Sequence, residues 1–250
     1  MKIGIICPVA HLEDFAIKSD FHLILPHLFK EFTAYREFYR YRAQQGDFVL
    51  QDNSVFELGH SLSADMLIEE ANLIGASEMS ACEVLSNSLE SYKAAIHTVE
   101  RSVKLGNKIP LLAVVQGESL SSFINYFFSL NSISEISSLG LPFDLDYLEG
   151  ENHLFTDYDS LKSRTLRRVL NRWRLVEILD EEAKKRNVTI KSTHLMGLSD
   201  GMELQKYKNY YWIRSNDSSS AYVHGAAGFR YTDRGLPCEK ISKKLDFSSS

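Results

Sequence analysis

Short apolar runs rich in β-branched residues recur along this chain, at residues 3–7, 22–25, 48–51, 78–82, 111–115, 136–139, 193–198 and 210–213. Between most of them lie segments whose apolar residues return every three or four positions, at 28–42, 64–74, 91–105, 120–131 and 161–186. The first pattern suits buried strands and the second suits helices with one apolar face. Their alternation predicts a parallel sheet with helices outside it. Eight strand candidates predict a single-domain (β/α)8 TIM-type barrel over residues 1–245, with 246–250 as a frayed tail that ends in three serines. A doubly wound open sheet is the alternative, but no GxGxxG follows the first strand.

Polar residues punctuate this pattern where a barrel would use them. Asp52, Glu83, Gln116, Gly140, Gly197 and Asp217 each fall at or just past the end of a predicted strand. The C-terminal rim of the strands is where barrels build active sites. Asp52 lies in FVLQDNSVFELG and Asp217 in YYWIRSNDSSSA. Each could serve a turn or a helix cap. As a pair they suggest two-carboxylate chemistry at a sugar carbon, one group attacking or stabilising the anomeric centre and the other moving a proton. Arg214, Ser215 and Asn216, just before Asp217, are donors that could hold its carboxylate ready to attack.

Composition narrows the picture. Of 250 residues 44% are hydrophobic and 24% charged, a soluble globular balance. No apolar run approaches the roughly 18 residues a membrane span needs, so no membrane partner is expected. Three scattered cysteines, Cys7, Cys82 and Cys238, argue against a disulfide scaffold and favour a cytoplasmic setting. No cysteine or histidine set has metal-ligand spacing, so neither a zinc subdomain nor another cofactor is expected. The net charge of −5 slightly repels nucleic acid, which would have to be met by a local basic patch.

DNSVFELG resembles the aspartate-led motif of the tRNA-guanine transglycosylases. VVQG at 114–117 is similar to their glutamine motif, SLGLP at 138–142 to their Gly-Leu turn and HLMGLS at 194–199 to their Leu-Met-Gly segment. RSNDSSS falls where their nucleophilic aspartate falls. The motifs come in the family's order over about Phe48 to Ser220, and the shorter phage-type branch that acts on DNA is the nearest. The resemblance implies Asp217 as nucleophile and Asp52 as general acid and base. It implies that Phe56 stacks on the base and that Glu83, where the family has an aspartate, reads the guanine N1–H and 2-amino edge. Gln116 and the backbone at Gly140 and Leu141 would bind the O6 side, with Met196 and Gly197 forming the pocket's wall. The implied partners are DNA with a flipped guanine and a free 7-deazaguanine, 7-cyano-7-deazaguanine or a close relative. Two departures stand out. The family's zinc ligands are missing, and Ser54 and Val55 stand where its glycines follow the first aspartate.

Between Ser160 and Leu175 there are six basic residues and no acidic one. On a helix, Leu166, Val169, Leu170, Trp173 and Val176 form an apolar stripe, and Arg164, Arg167, Arg168, Arg172 and Arg174 fall opposite it. That face could be simply solvated, but its excess of arginine favours phosphate contact, by Arg164, Arg168 and Arg172 above all. His194 and His224 have no partner at ligand spacing and are read as hydrogen-bonded structural residues. The rivals to DNA base exchange are the same chemistry on tRNA, a two-carboxylate glycoside hydrolase, which would want more than two tryptophans for its sugar platforms, and a nucleic-acid-binding barrel without activity. Oligomeric state is left open.

Overall fold

The structure is a computed structural model that describes residues 1–145, 164–198, 200–232, 241 and 245–248, with the backbone alone of 164–166. Its strands are β1 (Lys2–Ile5), β2 (Phe21–Ile24), β3 (Phe48–Gln51), β4 (Glu78–Ser80), β5 (Leu111–Val114), β6 (Ile136–Leu141), β7 (Ser192–Leu195) and β8 (Ile213–Ser218). Every pairing is parallel, in the order β1-β8-β7-β6-β5-β4-β3-β2. The sheet curls until β1 and β2 face each other, giving a nearly closed (β/α)8 barrel. At that seam Ser19 Oγ donates to the Ile3 carbonyl, and a side chain at Gly4 would stand 3.3 Å from the Phe21 carbonyl oxygen. Gly4 is what lets the two edges approach.

The main helices are α1 (Thr33–Gln44), a short α2 (Val55–Leu58), α3 (Ala64–Ile74), α4 (Ser88–Lys104), α5 (Leu120–Asn131), α6 (Arg164–Arg186) and α7 (Ser220–Ala226). Strand alternation divides the sheet residues between two apolar clusters. Met79, Ala81, Leu111, Ala113, Leu139, Leu141 and Leu195 pack with residues of α3–α6. Phe21, Leu23, Leu50, Leu112 and Val114 pack in a second cluster with Cys7, Tyr35 and Tyr39. No helix among the described residues is long and apolar enough to cross a membrane.

Two irregularities shape the barrel floor. Between β5 and β6 the register passes from Leu111↔Ile136 to Leu112↔Ser138, so Ser137 is an extra residue. Between β7 and β8 it passes from Thr193↔Ile213 to His194↔Ser215, so Arg214 is extra. Such bulges re-aim side chains. Both extra residues reach buried Glu78, Ser137 Oγ at 3.0 Å and Arg214 through an ion pair, joined by Ser138 Oγ at 2.7 Å.

Two expectations change. β8 begins at Ile213 and runs to Ser218 instead of covering 210–213, so Asp217 lies inside a strand and not in a loop beyond it. β6 extends to Leu141, so Gly140 and Leu141 are strand residues, not a turn. Of the tail at 246–250, residues 249 and 250 lie outside the described residues; the Phe247 carbonyl accepts from Val9 N at 3.3 Å and its ring meets Tyr35 edge-on.

Candidate functional site

The DNS segment leaves β3 through a tight turn. Ser54 adopts φ 63°, ψ 17°, the left-handed region that a glycine would occupy without strain. Three bonds hold it there: Ser54 N–H donates to Asp52 Oδ2 at 2.9 Å, Ser54 Oγ meets His27 Nδ1 at 2.8 Å, and Val55 N–H donates to Asn53 Oδ1 at 3.0 Å. Ser54 thus holds, without a glycine, a backbone conformation that glycine takes up more readily. Asp52 is thereby fixed just past β3 and almost wholly buried. Burial pushes its carboxyl up to about 6, against the N–H groups of Ser54 and Asn53, and the charge of nearby Asp217 adds to the rise.

Glu83 sits past the end of β4. Asn53 Nδ2 donates to its Oε1 at 3.1 Å and Gln116 Nε2 to its Oε2 at 2.7 Å. Ser61 Oγ brackets its backbone, accepting from the Glu83 N–H and donating to its carbonyl, both at 2.9 Å. Gln116 is oriented in turn, its Oε1 accepting from Ser86 N–H at 3.1 Å. Burial pushes Glu83 up to about 7, opposed by the Gln116 and Asn53 bonds and helped by the charge of Asp52. A carboxylate has about four acceptor positions. Among the described residues two are used, by Asn53 and Gln116, which leaves room for a ligand edge that carries N–H donors.

Asp217 completes the cluster from β8. His194 Nε2 and Gly197 N–H both lie 2.9 Å from its Oδ1, and no protein donor among the described residues reaches Oδ2. Arg214, Ser215 and Asn216 do not hold Asp217. Arg214 turns to Glu78, Ser215 bonds His194, and Asn216 Nδ2 donates to the carbonyls of Leu195 and Gly197. His194 is the hydrogen-bonded residue expected, and so is His224, whose Nδ1 donates to the Ser220 carbonyl while Nε2 accepts from Ile241 N–H.

The other expected pocket residues divide. Phe56 is 65% exposed on α2, with its ring edge-on to Phe143 at 6.2 Å, so it offers a free aromatic face at the rim. Met196 is half-buried against the cluster of Leu50, Leu112 and Val114. Gly197, at φ 65°, turns the chain after β7 beneath the Phe143 ring. A side chain at Gly140 would meet Val114 Cγ2 at 2.9 Å, so Gly140 is set by packing. The Gly140 carbonyl accepts from Val115 N–H and the Leu141 carbonyl from Met196 N–H, so both carbonyls take part in the ladder. Among the described residues, no group of three or more His, Cys, Asp and Glu side chains is arranged to hold a metal ion.

The basic helix is corrected in part. Val169, Arg172, Val176, Leu179 and Ala183 form a buried series spaced three and four residues apart, flanked by buried Asn171 and Leu175, so Arg172 lies on the inward face. Its guanidinium is 1% exposed and pairs with Glu203 at 2.5 Å. It also donates to the carbonyls of Met196 at 3.0 Å and Gly197 at 2.9 Å. Arg172 is thus a strut under the Gly197 turn and not a phosphate ligand. Arg174 pairs with Glu177. Arg168 pairs with Asp144 and lies over the Phe143 ring, 5.1 Å from its centroid. Arg164 opens α6, but its side chain, like that of Leu166 and all of Ser199, lies outside the described residues.

The site therefore gathers three buried carboxylates, Asp52, Glu83 and Asp217, under an exposed aromatic rim. Reading the sequence missed Asn53 as the link between the first two, and Ser61 and Arg172 as supports. Only Asn53, inside the DNS motif, carried a local signal. Comparison with protein-family models and with curated proteins finds no match to this chain.

Proposed function

We propose that this protein exchanges guanine in DNA for a free 7-deazaguanine base through a glycosyl-aspartate intermediate. The observation that carries the reading is the contrast between its two aspartates at one rim. Asp217 has two N–H donors on one oxygen and the other oxygen open. Asp52 is desolvated until its carboxyl titrates at about 6, where a group both gives and takes protons near neutral pH. The resemblance of DNSVFELG and HLMGLS to the guanine transglycosylases agrees with that division of roles.

In this mechanism the target nucleotide leaves the stack, because its sugar carbon is inaccessible inside a duplex. Phe56 stacks on the base, and Glu83 and Gln116 take its polar edge. Asp217 Oδ2 attacks C1′, the C1′–N9 bond breaks, and its electron pair leaves with guanine, which takes the proton of Asp52. The incoming 7-deazaguanine returns a proton from N9 to Asp52. Its N9 then attacks C1′ and releases Asp217. One glycosidic bond replaces another, so the exchange needs no external energy source. Phosphate contact falls to Arg168 and Arg164, since α6 follows β6 and so begins at the catalytic rim. The test is nucleoside analysis of DNA from cells that express the protein with a supply of 7-deazaguanine. A 7-deazaguanine deoxynucleoside in wild-type cells and none with Asp217→Asn supports the reading. Modified tRNA with unmodified DNA moves the chemistry to the other polymer.

A further inference from the structure

The His194 imidazole is fully buried and makes two side-chain hydrogen bonds, to Asp217 Oδ1 at 2.9 Å and to Ser215 Oγ at 2.8 Å. We propose that His194 is a positioning residue for Asp217, holding one carboxylate oxygen so that the other faces the cleft. This rests on reading Asp217 as the attacking group.

The geometry argues it in three steps. First, Gly197 N–H reaches the same Oδ1 at 2.9 Å. Two donors from different elements, a side chain of β7 and the backbone of the turn after it, fix both the position and the rotation of the carboxylate. An oxygen that accepts two hydrogen bonds is the poorer nucleophile, so attack is assigned to Oδ2. Second, the imidazole must present N–H at Nε2 to serve a carboxylate. The carboxylate only accepts, so it calls for N–H at Nε2, and the Ser215 hydroxyl, which can donate or accept, serves Nδ1 at 2.8 Å. Third, the bulge at Arg214 brings the string together. The extra residue shifts β8 by one position, so that Ser215 stands beside His194 in the register. A one-residue slip reverses which face a strand side chain takes. The Phe21 ring, tilted 36° with centroids 5.4 Å apart, covers the imidazole and prevents it from turning away.

Ser215 is not itself a nucleophile in a Ser-His-Asp arrangement. It is 1% exposed, behind the imidazole.

Two measurements test the proposal. The first compares His194→Phe, which keeps a flat ring against Phe21 but has no donor, with His194→Gln, whose amide N–H can reach Oδ1. Single-turnover formation of the protein–DNA adduct should slow about 100-fold in His194→Phe, the order of loss for a reacting group displaced by about 1 Å. His194→Gln should recover to within about tenfold of wild type, and both variants should bind free guanine as wild type does, measured by calorimetry. Equal slowing in both variants, or wild-type rates in His194→Phe, would overturn the proposal. The second needs no activity: ¹⁵N NMR of the imidazole in the wild-type protein. A ring that carries a proton on Nε2 is expected, and one protonated at Nδ1 but not at Nε2 would overturn the proposal whatever the protein catalyses. A wild-type protein that forms no adduct yet shows the Nε2–H ring would refute base exchange and leave the positioning geometry standing.

Discussion

Replacing Arg172 by Met separates a buried strut from a phosphate ligand. In the structure the guanidinium neutralises Glu203 in a site where both side chains are 1% exposed. Tyr207 Oη donates to the same Glu203 oxygen at 2.8 Å, and Glu203 Oε2 has no hydrogen-bond partner among the described residues. Arg172→Met removes the only cation paired with that carboxylate among the described residues. Breaking a buried pair from one side costs about 3–5 kcal/mol, because a charge is left uncompensated. In a chain of 250 residues each kcal/mol moves Tm by about 2–4 °C, so a fall of roughly 6–20 °C is expected. The double variant Arg172→Met/Glu203→Gln removes both charges, keeps an acceptor for Tyr207 and should recover most of that loss. The assay is urea unfolding followed by circular dichroism, with the double-mutant cycle completed by Glu203→Gln alone. The reasoning fails if Arg172→Met unfolds within about 1 kcal/mol of wild type, or if the second substitution recovers nothing. Where the single variant still folds, its DNA binding should keep the wild-type salt slope. A slope lower by about one would mean that Arg172 meets a phosphate after all.

Three further outcomes follow from the site. Asp52 and Glu83 both titrate above their ordinary values, so the folded protein keeps protons that the unfolded chain has released, and stability falls as pH rises from about 4 to about 7. Asp52→Asn removes its share: the variant should match wild type near pH 4 and exceed it near pH 8 by about 3 kcal/mol, from a rise of about two pH units at about 1.4 kcal/mol each. Denaturant unfolding at both pH values checks this, and a gap that does not widen with pH contradicts it. Ser54→Gly relieves about 1–2 kcal/mol of left-handed strain and loses a His27 hydrogen bond worth about 1 kcal/mol, so it should stay near wild type while Ser54→Ala loses stability. A thermal melt in which Gly is the worse of the two contradicts that account of the turn. Arg168→Gln should lower the salt slope of DNA binding by about one, and an unchanged slope removes Arg168 from the interface.

The barrel was legible because its signal is periodic and local. The helices at 64–74 and 120–131 lie where the apolar spacing put them, and the first seven strand runs belong to the sheet, while of the eighth, 210–213, only Ile213 does. β8 was misjudged because IRSNDS breaks the apolar rule for buried strands: its side chains hydrogen bond within the barrel and bear the site. Arg172 was misjudged because periodicity assigns charge to the outer face, and the partner that makes its burial tolerable, Glu203, lies 31 residues on. The rim carboxylates could be found as polar residues following apolar runs. The bonds that join them could not, since Asn53 to Glu83 and His194 to Asp217 cross between strands at separations that only the register determines.

The central claim is that Asp217 becomes covalently attached to the sugar. The direct measurement is peptide mass spectrometry after guanine-containing DNA is incubated with the protein and quenched in denaturant. The account predicts a nucleotide adduct on the peptide containing Asp217, absent in Asp217→Asn and dispersed when free guanine is added before the quench. With Asp52→Asn a weakened adduct should persist, since acid–base help is worth about 10²–10⁴-fold and not the whole reaction. An adduct on the Asp52 peptide, or an undiminished one in Asp217→Asn, would contradict the account.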